Sequence, residues 1–81
     1  MTAIVYRKLP DIPHRQYVHR IVGGYLLLWH RDKAMALVLE RDEAKRLADV
    51  LWMRSRPRVR PERAFVPAEP PGEYGTEEVL P

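Results

Sequence analysis

The chain has 81 residues, 46% of them hydrophobic, and its 14 Lys and Arg against 11 Asp and Glu leave a formal net charge of +3. That length allows one small domain with a modest core. The absence of cysteine excludes disulfides, zinc–thiolate sites and thiol nucleophiles, and fits a reducing compartment.

Charge is unevenly placed. Residues 1–53 carry a moderate basic excess. Residues 54–63 hold Arg54, Arg56, Arg58, Arg60 and Arg63 against Glu62, and residues 64–81 hold Glu69, Glu73, Glu77 and Glu78 with no base. The basic segment and the acidic end nearly cancel, so net charge is a poor guide to partners. Arg7 and Lys8 follow Met1–Val5 with no apolar stretch behind them, which argues against a secretory signal. Thr2 in place of Gly argues against myristoylation. The longest apolar stretch, Ile21–Trp29, is broken by Gly23 and Gly24 and has about half the ~20 residues a membrane helix needs. A soluble, cytoplasmic protein is the expectation.

In chain order, Ala3–Leu9 reads as a strand rich in β-branched and aromatic residues, and Pro10 and Pro13 bracket a turn. Tyr17–Val22 is a second strand. Gly23-Gly24 is a hairpin signal, because a two-residue turn needs positive φ at both central positions. Tyr25–His30 is a third strand, Asp32-Lys33 a second tight turn, and Ala34–Glu40 a fourth strand. Ala44, Leu47, Ala48 and Leu51 then follow the spacing of a helix face. Asp42 is the expected N-cap, and the helix is expected to reach about Met53 and stop before Pro57. Trp52 lies off the stripe. Six of the eight prolines fall in residues 54–81, which predicts an extended tail. The predicted organisation is α+β: an antiparallel meander of three to four strands with one helix on one face, residues 1–55 as the domain and 56–81 as the tail.

A two-residue Gly-Gly turn predicts that Val22 pairs with Tyr25, Arg20 with Leu27 and Val18 with Trp29. One sheet face then carries Ile21, Leu26, Leu28, Met35, Leu37 and Leu39. The other carries Val18, Val22, Tyr25, Leu27, Trp29, Ala36 and Val38. One helix covers one face only, so the second must meet the tail, a second copy or another protein. Tyr25, Leu27, Trp29 and Val38 are the candidate partner-binding residues.

Chemistry is thinly supplied. Arg54, Arg56, Arg58 and Arg60 alternate and would share one side of an extended backbone, suited to phosphates. With Arg20, Arg31 and Arg63 they form the candidate nucleic-acid set. His14, His19 and His30, with Asp11 and Asp32, match no metal-ligand spacing, so no metal or cofactor is expected. His30-Arg31-Asp32 matches the opening of a kinase catalytic loop. The required Asn five residues on is Leu37, and no glycine-rich loop is present. Ser55 has no neighbouring base. No catalytic residue is assigned, although His, Arg and Tyr could serve a metal-independent ribonuclease.

The order of three strands then a helix over Tyr17–Met53 resembles the small DNA-binding modules at the start of some tyrosine recombinases, and plant AP2-type domains. That resemblance implies a sheet face reading the major groove, where this sequence offers Arg20 beside Val22, Leu27, Ala36 and Val38. The first expectation remains a small non-catalytic protein-binding module: a homodimer, or an adaptor or inhibitor of a protein partner, of the kind phages and mobile elements encode. Nucleic-acid binding through Arg54–Arg63 is the alternative, and a small ribonuclease the third. No small-molecule substrate is expected.

Overall fold

The computed structural model describes residues 1–24, 26–56, 59–60, 63–64 and 69–79, with residues 59–60 and 63–64 as backbone alone. Among these residues seven strands and one α-helix follow in the order β1 (Thr2–Lys8), β2 (Gln16–Val22), β3 (Leu26–His30), β4 (Leu39–Glu40), α1 (Arg41–Ser55), β5 (Val59–Arg60), β6 (Arg63–Ala64) and β7 (Glu73–Val79). The class is α+β, with an antiparallel sheet of five strands and one helix. The sheet runs β3-β2-β1-β4, and β7 pairs with the other edge of β1. β5 and β6 form a separate two-stranded ladder. Among the described residues no helix is long and apolar enough to cross a membrane.

β1 organises the sheet. Its Ala3, Ile4 and Val5 are all buried, as expected of a central strand covered on both faces. Ala3 and Val5 join Val18 from β2 and Ala44, Ala48 and Leu51 from α1 in the main core. Leu27, Trp29, Leu39, Leu47 and Tyr74 pack around it. The alanines at 44 and 48 let the helix backbone lie close to the sheet. The predicted helical stripe is therefore the buried one, and Ser55 extends it by a turn. Ser55 is tolerated there because its hydroxyl donates to the carbonyl of Trp52 at 2.7 Å.

Asp42 is not the cap. The helix begins at Arg41 directly from β4, with Glu40 as the capping residue and no side-chain cap. The amide of Arg41 donates instead to the carbonyl of Met1 at 3.0 Å. Asp42 and Glu43 lie in the first turn, where their charge favours the helix dipole.

β1, β2 and β3 make the predicted meander, but the fourth strand does not continue it. Asp32 accepts from the amide of Ala34 at 2.9 Å and caps a short 3-10 turn, Lys33–Met35. A side chain that satisfies the backbone locally competes with a hairpin ladder. The chain then returns to the centre: Leu37 donates to the carbonyl of Val18 at 2.8 Å, and β4 pairs with β1 (Thr2 with Glu40, Ala3 with Leu39). Val38 is consequently off the sheet and does not share a face with Leu27 and Trp29. The meander-then-helix likeness over Tyr17–Met53 fails for the same reason.

The C-terminal residues are also part of the sheet. β7 pairs with β1 along its whole length, from Thr2 with Val79 to Lys8 with Glu73. A central strand needs a hydrogen-bonding partner on each side, and β7 supplies the second. Residues 73–79 are thus an element of the domain rather than an extended tail. Gly75 lies against the ring of Tyr6, where an added Cβ would come within 2.8 Å of its oxygen.

Candidate interaction surface

The β2–β3 hairpin departs from the expected register in its outer half. Gly23 and Gly24 both have positive φ (63° and 79°), as the turn signal requires. The ladder closes with Val22 opposite Leu26, one residue later than the expected register. Ile21 then pairs with Leu27, and Arg20 with Leu28. A bulge between Val18 and Arg20 absorbs the extra residue, and Val18 opposite Trp29 stands as predicted, with Tyr17 opposite His30 beside it. The bulge moves Ile21 to the face of Leu27 and Trp29, and Val22 to the face of Leu26 and Leu28.

β2 pairs with β1 only at Tyr6–Tyr17 and Arg7–Gln16. Beyond Val18 the returning chain and β4 occupy that side of β1. The outer hairpin is left with the 3-10 turn as its neighbour, where His19 Nδ1 lies 2.6 Å from the carbonyl oxygen of Met35. Ile21, Val22, Leu26 and Leu28 are exposed there, between 38% and 52% of their full area. Met35, in the adjacent turn, is exposed as well. β3 is an edge strand with no partner on its outer side among the described residues. Its sequence, Leu26–His30, contains no Lys, Arg, Asp, Glu or Pro, the residues that ordinarily guard an edge.

The predicted partner-binding residues are not gathered in one place. Leu27 and Trp29 pack on the helix-side core. The guanidinium of Arg7 lies 4.1 Å from the Trp29 ring centre, and Tyr74 of β7 meets that ring edge-on at 6.4 Å. Arg7 is held by Gln16 (2.8 Å) and Glu69 (3.8 Å). Burial raises the pKa of the Tyr74 phenol, whose hydroxyl donates to the carbonyl of Pro70. Val38 is exposed off the sheet, and Tyr25 lies outside the described residues. The residues that sequence reasoning missed are Ile21, Val22, Leu26 and Leu28. The uncharged run Leu26–His30 was a readable signal of an unguarded edge, but the bulge that sets the faces had none.

The candidate basic residues are spread over several elements. Arg20 is exposed on β2, Arg31 follows β3, and Arg54 and Arg56 lie at the end of α1. Arg56 stacks on Trp52 at 3.5 Å. Arg58 lies outside the described residues, and Arg60 is the backbone partner of Arg63 across β5–β6.

The face of the sheet opposite α1 carries a polar cluster. Glu77 of β7 bonds to Arg15 and to Lys33 (2.9 Å), and Arg15 lies over Tyr6 at 4.1 Å. Burial works to raise the Glu77 pKa, but the hydrogen bonds from Lys33 and Arg15 outweigh it and hold the carboxyl below its ordinary value. The same bonds raise both cations. His19 and His30 have ring centres 5.7 Å apart, and His30 Nδ1 accepts from the amide of Asp32. Among the described residues no group of His, Asp or Glu is arranged to hold a metal ion. No family model, curated protein or solved structure matches the chain.

Proposed function

We propose that this is a small non-catalytic protein-binding module that engages its partner through the outer β2–β3 hairpin. The observation that carries this reading is the uncharged edge of β3, unpaired among the described residues, beside the exposed side chains of Val22, Leu26 and Leu28. A two-stranded ribbon is marginal alone in water, and four exposed large apolar residues on one are costly unless covered in the working state. Strand addition at a free edge supplies main-chain hydrogen bonds, and the apolar residues supply contact area.

The test is a photo-crosslinking residue at position 28, with an equivalent at exposed Lys45 on α1 as control. Protein adducts from position 28 alone, absent when Leu26→Asp is added, are expected. Equal labelling at both positions, or none at position 28, would remove the hairpin from consideration.

A second reading, nucleic-acid binding, draws support from the pairing of Arg60 with Arg63. Arg20, Arg31, Arg54 and Arg56 would add phosphate contacts that position a nucleic acid without reading its bases.

A further inference from the structure

Resting on that protein-binding reading, we propose that the partner of β3 is the β3 of a second copy, paired antiparallel about a two-fold axis through Leu28. Among the described residues β3 and β7 are the longer strands at the edges of the sheet, and they differ in charge. β7 carries Glu73, Glu77 and Glu78, charged residues of the kind that guard an edge against strand addition. β3 carries no formal charge, and self-pairing brings no like charges face to face.

The side-chain pairs are also self-compatible. A two-fold at Leu28 sets Leu28 against its symmetry mate and Leu26 against His30 on the outer face, and Leu27 against Trp29 on the helix-side face. Leu28 already pairs with Arg20 within each copy. The two Arg20 side chains then lie on strands three steps apart, about 14 Å at the usual strand spacing. That distance exceeds the ~8 Å screening length at physiological salt, so their repulsion is small.

Closure supports the same choice. A β3–β7 contact would leave one edge of each kind free and would propagate as an open filament. The β3–β3 contact consumes both unguarded edges and leaves acidic β7 strands outermost. A ladder of five residues is short for a stable interface, which usually buries about 1,200–2,000 Å². A reversible, concentration-dependent dimer is therefore expected.

The chain has no cysteine, so Leu28→Cys gives a single reporter thiol. Light scattering coupled to size exclusion is expected to show wild-type protein passing from monomer to dimer with concentration, and Leu28→Lys remaining monomeric with unchanged circular dichroism. Mild oxidation is expected to link Leu28→Cys quantitatively as a dimer, because both pair types of an antiparallel ladder bring the Cα atoms within disulfide reach. Val22→Cys, on the neighbouring strand, is expected to link far more slowly. A monomer at all concentrations, a dimer that survives Leu28→Lys, or equal linking at both positions would overturn the proposal. In the first case, protein adducts from the position-28 crosslinker would leave protein binding standing with a different partner, and their absence would remove both readings.

Discussion

Single residues lock this small sheet from both sides. On the helix side Arg7 stacks on Trp29 while bonding Gln16 and Glu69, so one guanidinium ties β1, β2, β3 and the segment before β7 together. A partly desolvated stack of this kind is worth about 1–2 kcal/mol. On the other side Glu77 gathers Arg15 and Lys33 over Tyr6. The Glu77 carboxyl is held below its ordinary value, so the folded state binds its proton less readily than the unfolded chain. Its stabilising contribution is therefore complete above the unfolded pKa, near 4.5, and is lost as pH falls through the lower folded value. Urea midpoints measured from pH 7 down to pH 3 are expected to fall in that window. Glu77→Gln is expected to start lower at pH 7 and to decline less over the same range.

At the scale of elements, the helix was legible because its signal is local. Ala44, Leu47, Ala48 and Leu51 repeat at helical spacing, and that stripe is the one that packs. The first three strands were legible for the same reason, being short apolar runs bounded by Pro and Gly. β4 was overextended, since Asp32 capping a 3-10 turn and an Asp-Lys hairpin look alike in one dimension. β7 was missed because Glu73–Val79 carries three acids and a glycine, and its pairing with β1 spans nearly the whole chain. Strands are stabilised by their neighbours more than by their own propensity. A chain ending at Gly72 is expected to lose cooperative unfolding, because β1 would have an open edge along its length and the core would lose Tyr74. Thermal unfolding followed by circular dichroism checks this. A sharp transition close to that of the full chain would show β7 to be dispensable.

On the scale of the whole molecule, the distribution of charge matters more than its sum. The acidic β7 edge and the uncharged β3 edge give the sheet one guarded and one unguarded side, and the protein-binding reading follows from that asymmetry. Arg54, Arg56, Arg60 and Arg63 lie on different elements from the hairpin. The two readings are therefore separable by measurement. Fluorescence anisotropy with short duplexes is expected to show only weak binding that vanishes by about 0.15 M salt, since a few phosphate contacts give a steep salt dependence. Tight binding at that salt, lost in the Arg60→Gln, Arg63→Gln double variant and kept in Leu28→Lys, would favour nucleic acid over protein as the partner.

The amino-acid sequence alone determined the α+β class, the helix with its buried stripe, the Gly-Gly turn and the pairing of Val18 with Trp29. Each depends on residues close together in the chain or on one strict alternation. Only the tertiary structure decided which strands neighbour β1, where the bulge falls, and hence that Leu27 and Trp29 face the core while Leu26 and Leu28 face outward. Those outcomes turn on competition for the two edges of one central strand, which β2, β4 and β7 divide among themselves. A one-residue shift in a β-ladder moves side chains to the opposite face, and the local pattern of residues 17–30 is compatible with either register.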